Sequence, residues 1–565
     1  MTTRRFAYAL VLCLILALLL RALGLMHGWP RNYIADTTAV RAGLSIGAGA
    51  NPFAGDALPT QYPYLLPYVL AALYGLFFVA GRMFGFFPDV AAFEQYAFAH
   101  PEVFFLIAAW TTVLSGCAVV AMLALVTRRL LGGGVACLAA LFTATSLIHV
   151  QLSHQARPHL AAVALILATV YFAVRHADGG RRRDLLLSWW FSALAASTVP
   201  YALLTVAVPL VASLRRDAAA LKGLALGLVV FLVTLVVFYP RLVLGDPVAY
   251  ESSTGLFRSY GGLYLRDSYI NGKGFPQLVA WFFSYEPVLA VAACLGLAGS
   301  LPRWRIDRRW AAVAVFPLLD LVVYGSYEII HPRYLVPLIP FLSIPAAWLT
   351  ARVIRGVSER AAARFGEGSR AAAAAAVVAV VLLLPVVQAV RLDLLLRRED
   401  TRALAERWIR ENLRDSRRIA VEAHGVELPA DLRSLRWTAE NHPSQLGVRD
   451  NYRLRQGEGD QSGDGYPVAR LWYHPSYRDS ALGELAPYAD SQHVVAVLPG
   501  NAERIDPFYR SLKRDGRLLT RISPLRPHVE SAETQLPLEL QRPLWDLWKV
   551  DRCGPIVEIY EWRRE

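Results

Sequence analysis

Ten apolar runs alternate with clusters of arginine over the first 390 residues, and this pattern limits the possible folds more than any other feature. The runs cover residues 6–26, 103–126, 135–150, 160–174, 185–214, 221–239, 278–301, 310–324, 334–350 and 371–390. Most approach the ~20 residues an α-helix needs to cross hydrocarbon. Backbone in lipid must satisfy its own polar groups, so runs of this length fold as helices. The composition agrees: 55% of residues are hydrophobic and 18% charged, where a soluble domain carries about 25% charged residues. Both a disordered chain and an ordinary cytosolic enzyme are thereby excluded. Five cysteines (Cys13, Cys117, Cys137, Cys294, Cys553) show no CxxC or Cys/His spacing, so neither a zinc site nor a disulfide framework is indicated.

Run 6–26 follows Arg4 and Arg5, and no small-x-small cleavage site comes after it. It reads as a first transmembrane helix entering from the cytoplasm rather than a signal peptide, with Arg21 snorkelling at its outer end. The basic clusters are Arg4/Arg5, Arg128/Arg129, Arg175 with Arg181, Arg182 and Arg183, Arg215/Arg216/Lys222, the arginines of 303–309, and those of 352–370. Basic loops stay cytoplasmic. All six clusters fall on that side if a further apolar stretch, 64–87, does not cross, so it reads as an interfacial or re-entrant helix. Pro63, Pro67 and the flanking tyrosines suit that position. Run 185–214 is short for two crossings at 1.5 Å per residue, yet both its ends are basic. Ser197, Thr198 and Pro200 at its middle predict a hairpin of two short helices. The expectation is a polytopic α-helical membrane protein with about eleven spans plus interfacial helices. The net charge of +13 resides in the six clusters, because acids and bases nearly cancel elsewhere. It is an orientation signal and no sign of nucleic acid.

This topology leaves 27–102, 151–159, 240–276, 326–333 and everything after Arg391 on the outer face. The chain thus divides into a membrane module, 1–391, and a soluble region, 392–565. In the latter, 401–413 reads as a helix with Leu404, Trp408 and Ile409 on one face. Short strand-like runs at 418–421, 494–498 and 556–562 complete a small outer α/β domain.

Several polar groups fall on that face. Asp36, in Tyr33-Ile-Ala-Asp36-Thr-Thr, can act as a general base toward an acceptor hydroxyl, or cap a helix. Tyr62 and Tyr64, in Gln61-Tyr-Pro-Tyr, can floor a lipid substrate or simply anchor the interface. Ser153-His154-Gln-Ala-Arg157-Pro-His159 is a polar knot between two spans. Its Arg157 can grip a phosphate, while its two histidines lack the nearby acid that a metal site would need. His331-Pro-Arg333-Tyr334 places an arginine at the mouth of a span, suited to a lipid phosphate or to snorkelling. Loop 240–276 mixes Tyr264 and Asp267 with other aromatic and charged residues, as sugar sites and folded surface loops both do. No Walker, GxGxxG or GxSxG motif is present, which removes the best evidence for an ATP-driven pump, a dinucleotide enzyme or a lipase.

Taken in order, these stretches resemble the GT-C superfamily of membrane glycosyltransferases, nearest the protein O-mannosyltransferase and lipid A aminoarabinose transferase group. The resemblance rests on Arg21 followed by Asp36 and Ala42-Gly43, and on Tyr62-Pro63-Tyr64-Leu65 as a degraded Pro-Pro-Leu-Tyr. It continues through Thr127 to Gly132, Ser146 to Val150, Ser153 to Pro158, and His331 to Tyr334 with Pro337 and Pro340. In the soluble region it rests on Asp400-Thr-Arg402, Ala405, Trp408-Ile409 and Gly554 to Tyr560. It implies a GT-C fold and an inverting hexosyl or pentosyl transferase in a bacterial inner membrane. The donor would be a polyprenyl-phosphate sugar, and the acceptor a lipid, glycan or protein of the cell envelope. Asp36 would be the catalytic acid-base residue, and Arg333, with Arg157, His331 and Tyr334, would hold the donor phosphate. Tyr62, Tyr64, His154, His159, Tyr264 and Asp267 would contact sugar or acceptor. The family often has Asp-Glu where this chain has Asp36-Thr37, and Arg-Pro-Asp where it has Arg157-Pro158-His159. The missing acids leave the acceptor class and any role for a divalent metal open, and no cofactor is indicated. Two other readings are a lipid flippase, which would want inverted repeats and charges at mid-membrane depth, and a non-enzymatic assembly or sensor protein. The polar residues instead gather at one face, Asp320 excepted.

Overall fold

The computed structural model describes residues 2–31, 33, 38–53, 62–214, 218–240, 242, 248–252, 255–260, 263–265, 270–300, 307–328, 330–414, 416, 418–422, 425–441, 446, 448–456, 465–471, 491–498, 500, 504–534 and 540–562. Its helices are α1 (Thr3–Ala22), α2 (Thr38–Gly47), α3 (Leu65–Met83), α4 (Val90–Ala99), α5 (Pro101–Leu131), α6 (Gly133–Thr145), α7 (Leu147–Ser153), α8 (His159–Gly179) and α9 (Arg182–Ala196). A 3-10 helix at Pro200–Val206 leads into α10 (Ala207–Ser213), followed by α11 (Ala218–Phe238). Then come α12 (Gly274–Tyr285), α13 (Pro287–Ser300), α14 (Arg308–Ser326), a 3-10 helix at Pro332–Leu335, α15 (Leu338–Phe365) and α16 (Ser369–Leu396). Among the described residues eight helices are long and apolar enough to cross a membrane, or ten if each of two bent pairs counts as one span. Run 185–214 accounts for much of the difference from eleven. It breaks at 197–199 into α9 and the short Pro200–Ser213 segment, each below span length.

Two runs that read as straight spans are broken. Helices α6 and α7 meet at 57°, and α12 and α13 at 117°. Pro287 opens α13, where a ring without an N–H ends the preceding helical ladder. The exposed helix ends are satisfied by side chains. Arg21 does not snorkel: it is fully buried and donates to the carbonyls of Thr143 (3.1 Å) and Ala144 (2.9 Å), at the C-terminal end of α6. Gly116 leaves it room, since a Cβ there would lie 2.7 Å from the Arg21 Nε. On the other side of the break, Glu286 accepts from Ser146 Oγ (2.6 Å) and the Ile148 N–H (3.2 Å). A cation thus closes the carbonyl end of α6 and an acid closes the amide end of α7, the arrangement that helix dipoles favour.

The described arginine clusters gather at one end of the bundle. Asp178 joins Arg129 (3.2 Å) and Arg309 (3.6 Å), Arg175 pairs with Asp184 (3.1 Å), and Arg128 reaches Thr3 (3.2 Å). At the opposite end sits the C-terminal region. It begins with α17 (Thr401–Asn412) and contains α18 (Leu432–Asn441), α19 (Val448–Gln456), α20 (Pro507–Asp515) and α21 (Pro543–Asp546) around one five-stranded sheet. A three-stranded antiparallel meander, β1 (Val248–Ser252), β2 (Gly255–Tyr260) and β3 (Leu263–Leu265), precedes it within loop 240–276. The sheet strands are β4 (Ile419–Glu422), β5 (Val468–Leu471), β6 (His493–Leu498), β7 (Gly516–Ile522) and β8 (Ile556–Trp562), in the order β5-β4-β6-β8-β7. β4 runs parallel to both neighbours, and β8 antiparallel to both of its own. Strands β5 and β7 lie outside the stretches read as strands from sequence. Apolar side chains cover both faces of the sheet.

The C-terminal region is bolted to the bundle. Asp400 caps α17, receives Arg402 through two bonds of 2.8 Å, and lies 3.3 Å from His27. Arg31 pairs with Glu406 at 2.7 Å, and Tyr285 and Leu540 bond at 2.7 Å. Helix α3 stays at this end. Its first residues bond the carbonyls of Phe238 and Ser197, where α11 and α9 finish. Its middle, Tyr74, donates to the Phe104 carbonyl in the first turn of α5. Beyond it, Phe98 of α4 stacks on Tyr452 at 4.1 Å. The start and the middle of α3 thus both lie at this end, although its length alone would let it span.

Candidate active site

The polar knot between α7 and α8 and the segment that opens α15 meet at the domain-side end. Pro158 stops the chain from continuing α7 as helix and forms the N-cap of α8, so His159 takes its first position. Arg333, Arg157 and His331 all lie within electrostatic reach of the buried His159 ring. Arg157 is buried, Arg333 half-buried and His331 exposed. Aromatic rings enclose the cluster. Tyr62 meets His159 edge-on at 5.8 Å, and Tyr201 lies 6.2 Å from it. Tyr201 meets Tyr324 at 5.8 Å, and Tyr324 stacks on Tyr334 at 4.1 Å and 10°. The cluster therefore combines two guanidinium groups with a wall of tyrosines. Gathered cations below a polar surface favour an anion between them, and guanidinium forks match phosphate oxygens.

Asp36 and Asp267 lie outside the described residues. Of Tyr264 the structure gives only its backbone, paired with Ser259 in the meander. Tyr64 is buried in one cluster with Ala42 and forms the N-cap of α3. His154 takes a structural position. Its ring nitrogens lie 2.6 Å from the Leu23 carbonyl and 2.9 Å from that of Val150, with Asp393 at 3.5 Å. It thereby ties the end of α1 and α7 to α16. Among the described residues, no group of three or more His, Cys, Asp or Glu is placed to hold a metal ion.

Tyr201 and Tyr324 were not legible as site residues, because each reads as an ordinary aromatic in an apolar run. Glu286 and Asp393 carried a usable signal, an acid within or beside a span.

No family model and no curated protein matches this chain. Among solved structures, it is similar to ArnT from Cupriavidus metallidurans bound to undecaprenyl phosphate. That match has 17% identity and a TM-score of 0.42 over 70% of this chain and 73% of that one. It is also similar to the Archaeoglobus fulgidus oligosaccharyltransferase tethered to an acceptor peptide, at 10% identity and a TM-score of 0.47, over 88% of this chain and 69% of the other. A further likeness is to the oligosaccharyltransferase AglB of the same organism, in complex with an inhibitory peptide and a dolichol-phosphate. It has 10% identity and a TM-score of 0.45, covering 87% of this chain and 69% of that one.

Proposed function

We propose that this protein is a membrane glycosyltransferase of GT-C type. It moves a sugar from a polyprenyl-phosphate donor to a lipid, glycan or protein acceptor of a bacterial cell envelope. The observation that carries this reading is the convergence of Arg157, Arg333 and His331 on His159 beneath the C-terminal region. In this reading the arginine-rich end is cytoplasmic and the C-terminal region extracytoplasmic, as basic loops require. Residues 1–391 form the transferase module and 392–565 the outer domain.

The donor phosphate rests on Arg333, Arg157 and His331, with its polyprenyl chain in the bilayer. The acceptor oxygen attacks the anomeric carbon as the carbon–oxygen bond to the phosphate breaks, and the electron pair leaves on the phosphate. Asp36 takes the acceptor proton as general base. The guanidinium groups hold the charge that develops on the departing phosphate, so one carboxylate is enough. Attack from the face opposite the phosphate inverts the anomeric centre.

Purified protein given polyprenyl-phosphate sugar and an envelope extract should release polyprenyl phosphate, and Asp36→Asn should abolish release. Full turnover by Asp36→Asn would remove Asp36 from the mechanism.

A further inference from the structure

Next to the arginine cluster, three buried polar groups converge without a hydrogen-bond partner among the described residues. Asp320 is fully buried in α14, and neither of its carboxyl oxygens accepts a hydrogen bond from any described residue. The Tyr201 hydroxyl and His159 Nδ1 are likewise buried and unbonded among the described residues. They form one neighbourhood. Tyr201 lies 6.2 Å from His159 and 5.8 Å from Tyr324, centroid to centroid. Asp320 is one turn before Tyr324 on the same helical face, within electrostatic reach of both tyrosines. An acid inside a membrane bundle is costly and is retained where it meets a ligand or a partner. Buried polar groups are nearly always hydrogen-bonded, so three orphans in one place call for a molecule with several hydroxyls.

We infer that Asp320, Tyr201 and His159 form a hydroxyl-binding subsite between α8, the Pro200–Val206 helix and α14, which takes the sugar ring beside the phosphate held by Arg333. This rests on the proposed transferase reading. The Asp320 oxygens accept hydrogen bonds from two hydroxyls, as a carboxylate does with a vicinal diol. The Tyr201 hydroxyl and His159 Nδ1 meet a third position. Asp320 is therefore a specificity-determining residue that touches the sugar and takes no part in bond cleavage.

The test compares two probes on the full chain in nanodiscs, polyprenyl phosphate with and without its sugar, for wild type, Asp320→Asn and Tyr201→Phe. Tyr201→Phe removes a single oxygen and guards against misfolding of the other variant. Each variant should bind the sugar-free lipid as wild type does, and bind or turn over the sugar-bearing lipid about ten- to a hundredfold less well. Donor and acceptor KM values separate the source: a rise confined to the donor assigns the subsite to the donor sugar, and a rise confined to the acceptor overturns that assignment. Equal loss for both lipid probes would mean a structural role and overturn the proposal, as would wild-type preference in both variants. Wild type binding neither lipid would overturn the transferase reading and the subsite together.

Discussion

Glu286 gives the sharpest test of how the bundle is built. Its carboxylate joins the break between α12 and α13 to the break between α6 and α7, through Ser146 Oγ at 2.6 Å and the Ile148 N–H at 3.2 Å. Alanine would leave the Ser146 hydroxyl and the Ile148 N–H buried without this acceptor, at about 1–3 kcal/mol each. Glu286→Ala should therefore lose about 4 kcal/mol. Glu286→Gln keeps an acceptor oxygen in place and should lose roughly 1–2 kcal/mol. Tryptophan fluorescence during heating in detergent should show a fall in Tm of roughly 3 °C for the alanine variant and about 1 °C for glutamine, because unfolding entropy grows with chain length. Arg21→Met, which strips the donor from the Thr143 and Ala144 carbonyls across the same break, should match the alanine variant. The two together should cost less than their sum, because they share one element. The reasoning fails if Glu286→Ala melts within a degree of wild type, or if glutamine is as damaging as alanine.

Two further outcomes follow from the joint with the C-terminal region. Burial alone would raise the Asp400 carboxyl, but the bonds from Arg402 and His27 outweigh it and hold it below the usual carboxylate range. A depressed folded value gives stability that is present above the unfolded value, near pH 4, and is lost as pH falls through the folded one. The stability gap between wild type and Asp400→Asn should be constant from pH 8 to about 5 and shrink below about 4; a constant gap down to pH 2 would contradict this. An alkaline phosphatase reporter fused after Arg391 should be active, since α16 carries the chain to the end opposite the arginine clusters, and an inactive fusion would reverse the orientation.

The spans and the break near Ser197 were legible because hydrophobic runs and a Ser-Thr-Val-Pro interruption act locally. The bends at Ser146 and Glu286 were not. Run 135–150 carries only small hydroxyl residues at its break, run 278–301 keeps its span length across Glu286-Pro287, and the groups that join the two breaks lie more than a hundred residues apart in sequence. Arg21 misled for the same reason. Near the end of a first span it reads as an interfacial residue, and only the fold brings the Thr143 and Ala144 carbonyls to it. At the candidate site, Arg157, His159, His331 and Arg333 stood out as polar residues at span mouths, and the fold places them together. Tyr201 and Tyr324 carry no such mark, because an aromatic in an apolar run serves packing as well as it serves a site. His154 shared the polar knot with Arg157 but turns toward α16, a difference set by the helical turn of α7.

The central claim is that Arg333 and Arg157 hold a lipid phosphate, and direct binding of undecaprenyl phosphate to the purified chain in nanodiscs tests it most closely. The account predicts saturable binding that weakens about ten- to a hundredfold in Arg333→Ala and in Arg157→Ala, with neutral polyprenol bound poorly by all three proteins. Binding of equal strength in wild type and both variants would contradict it.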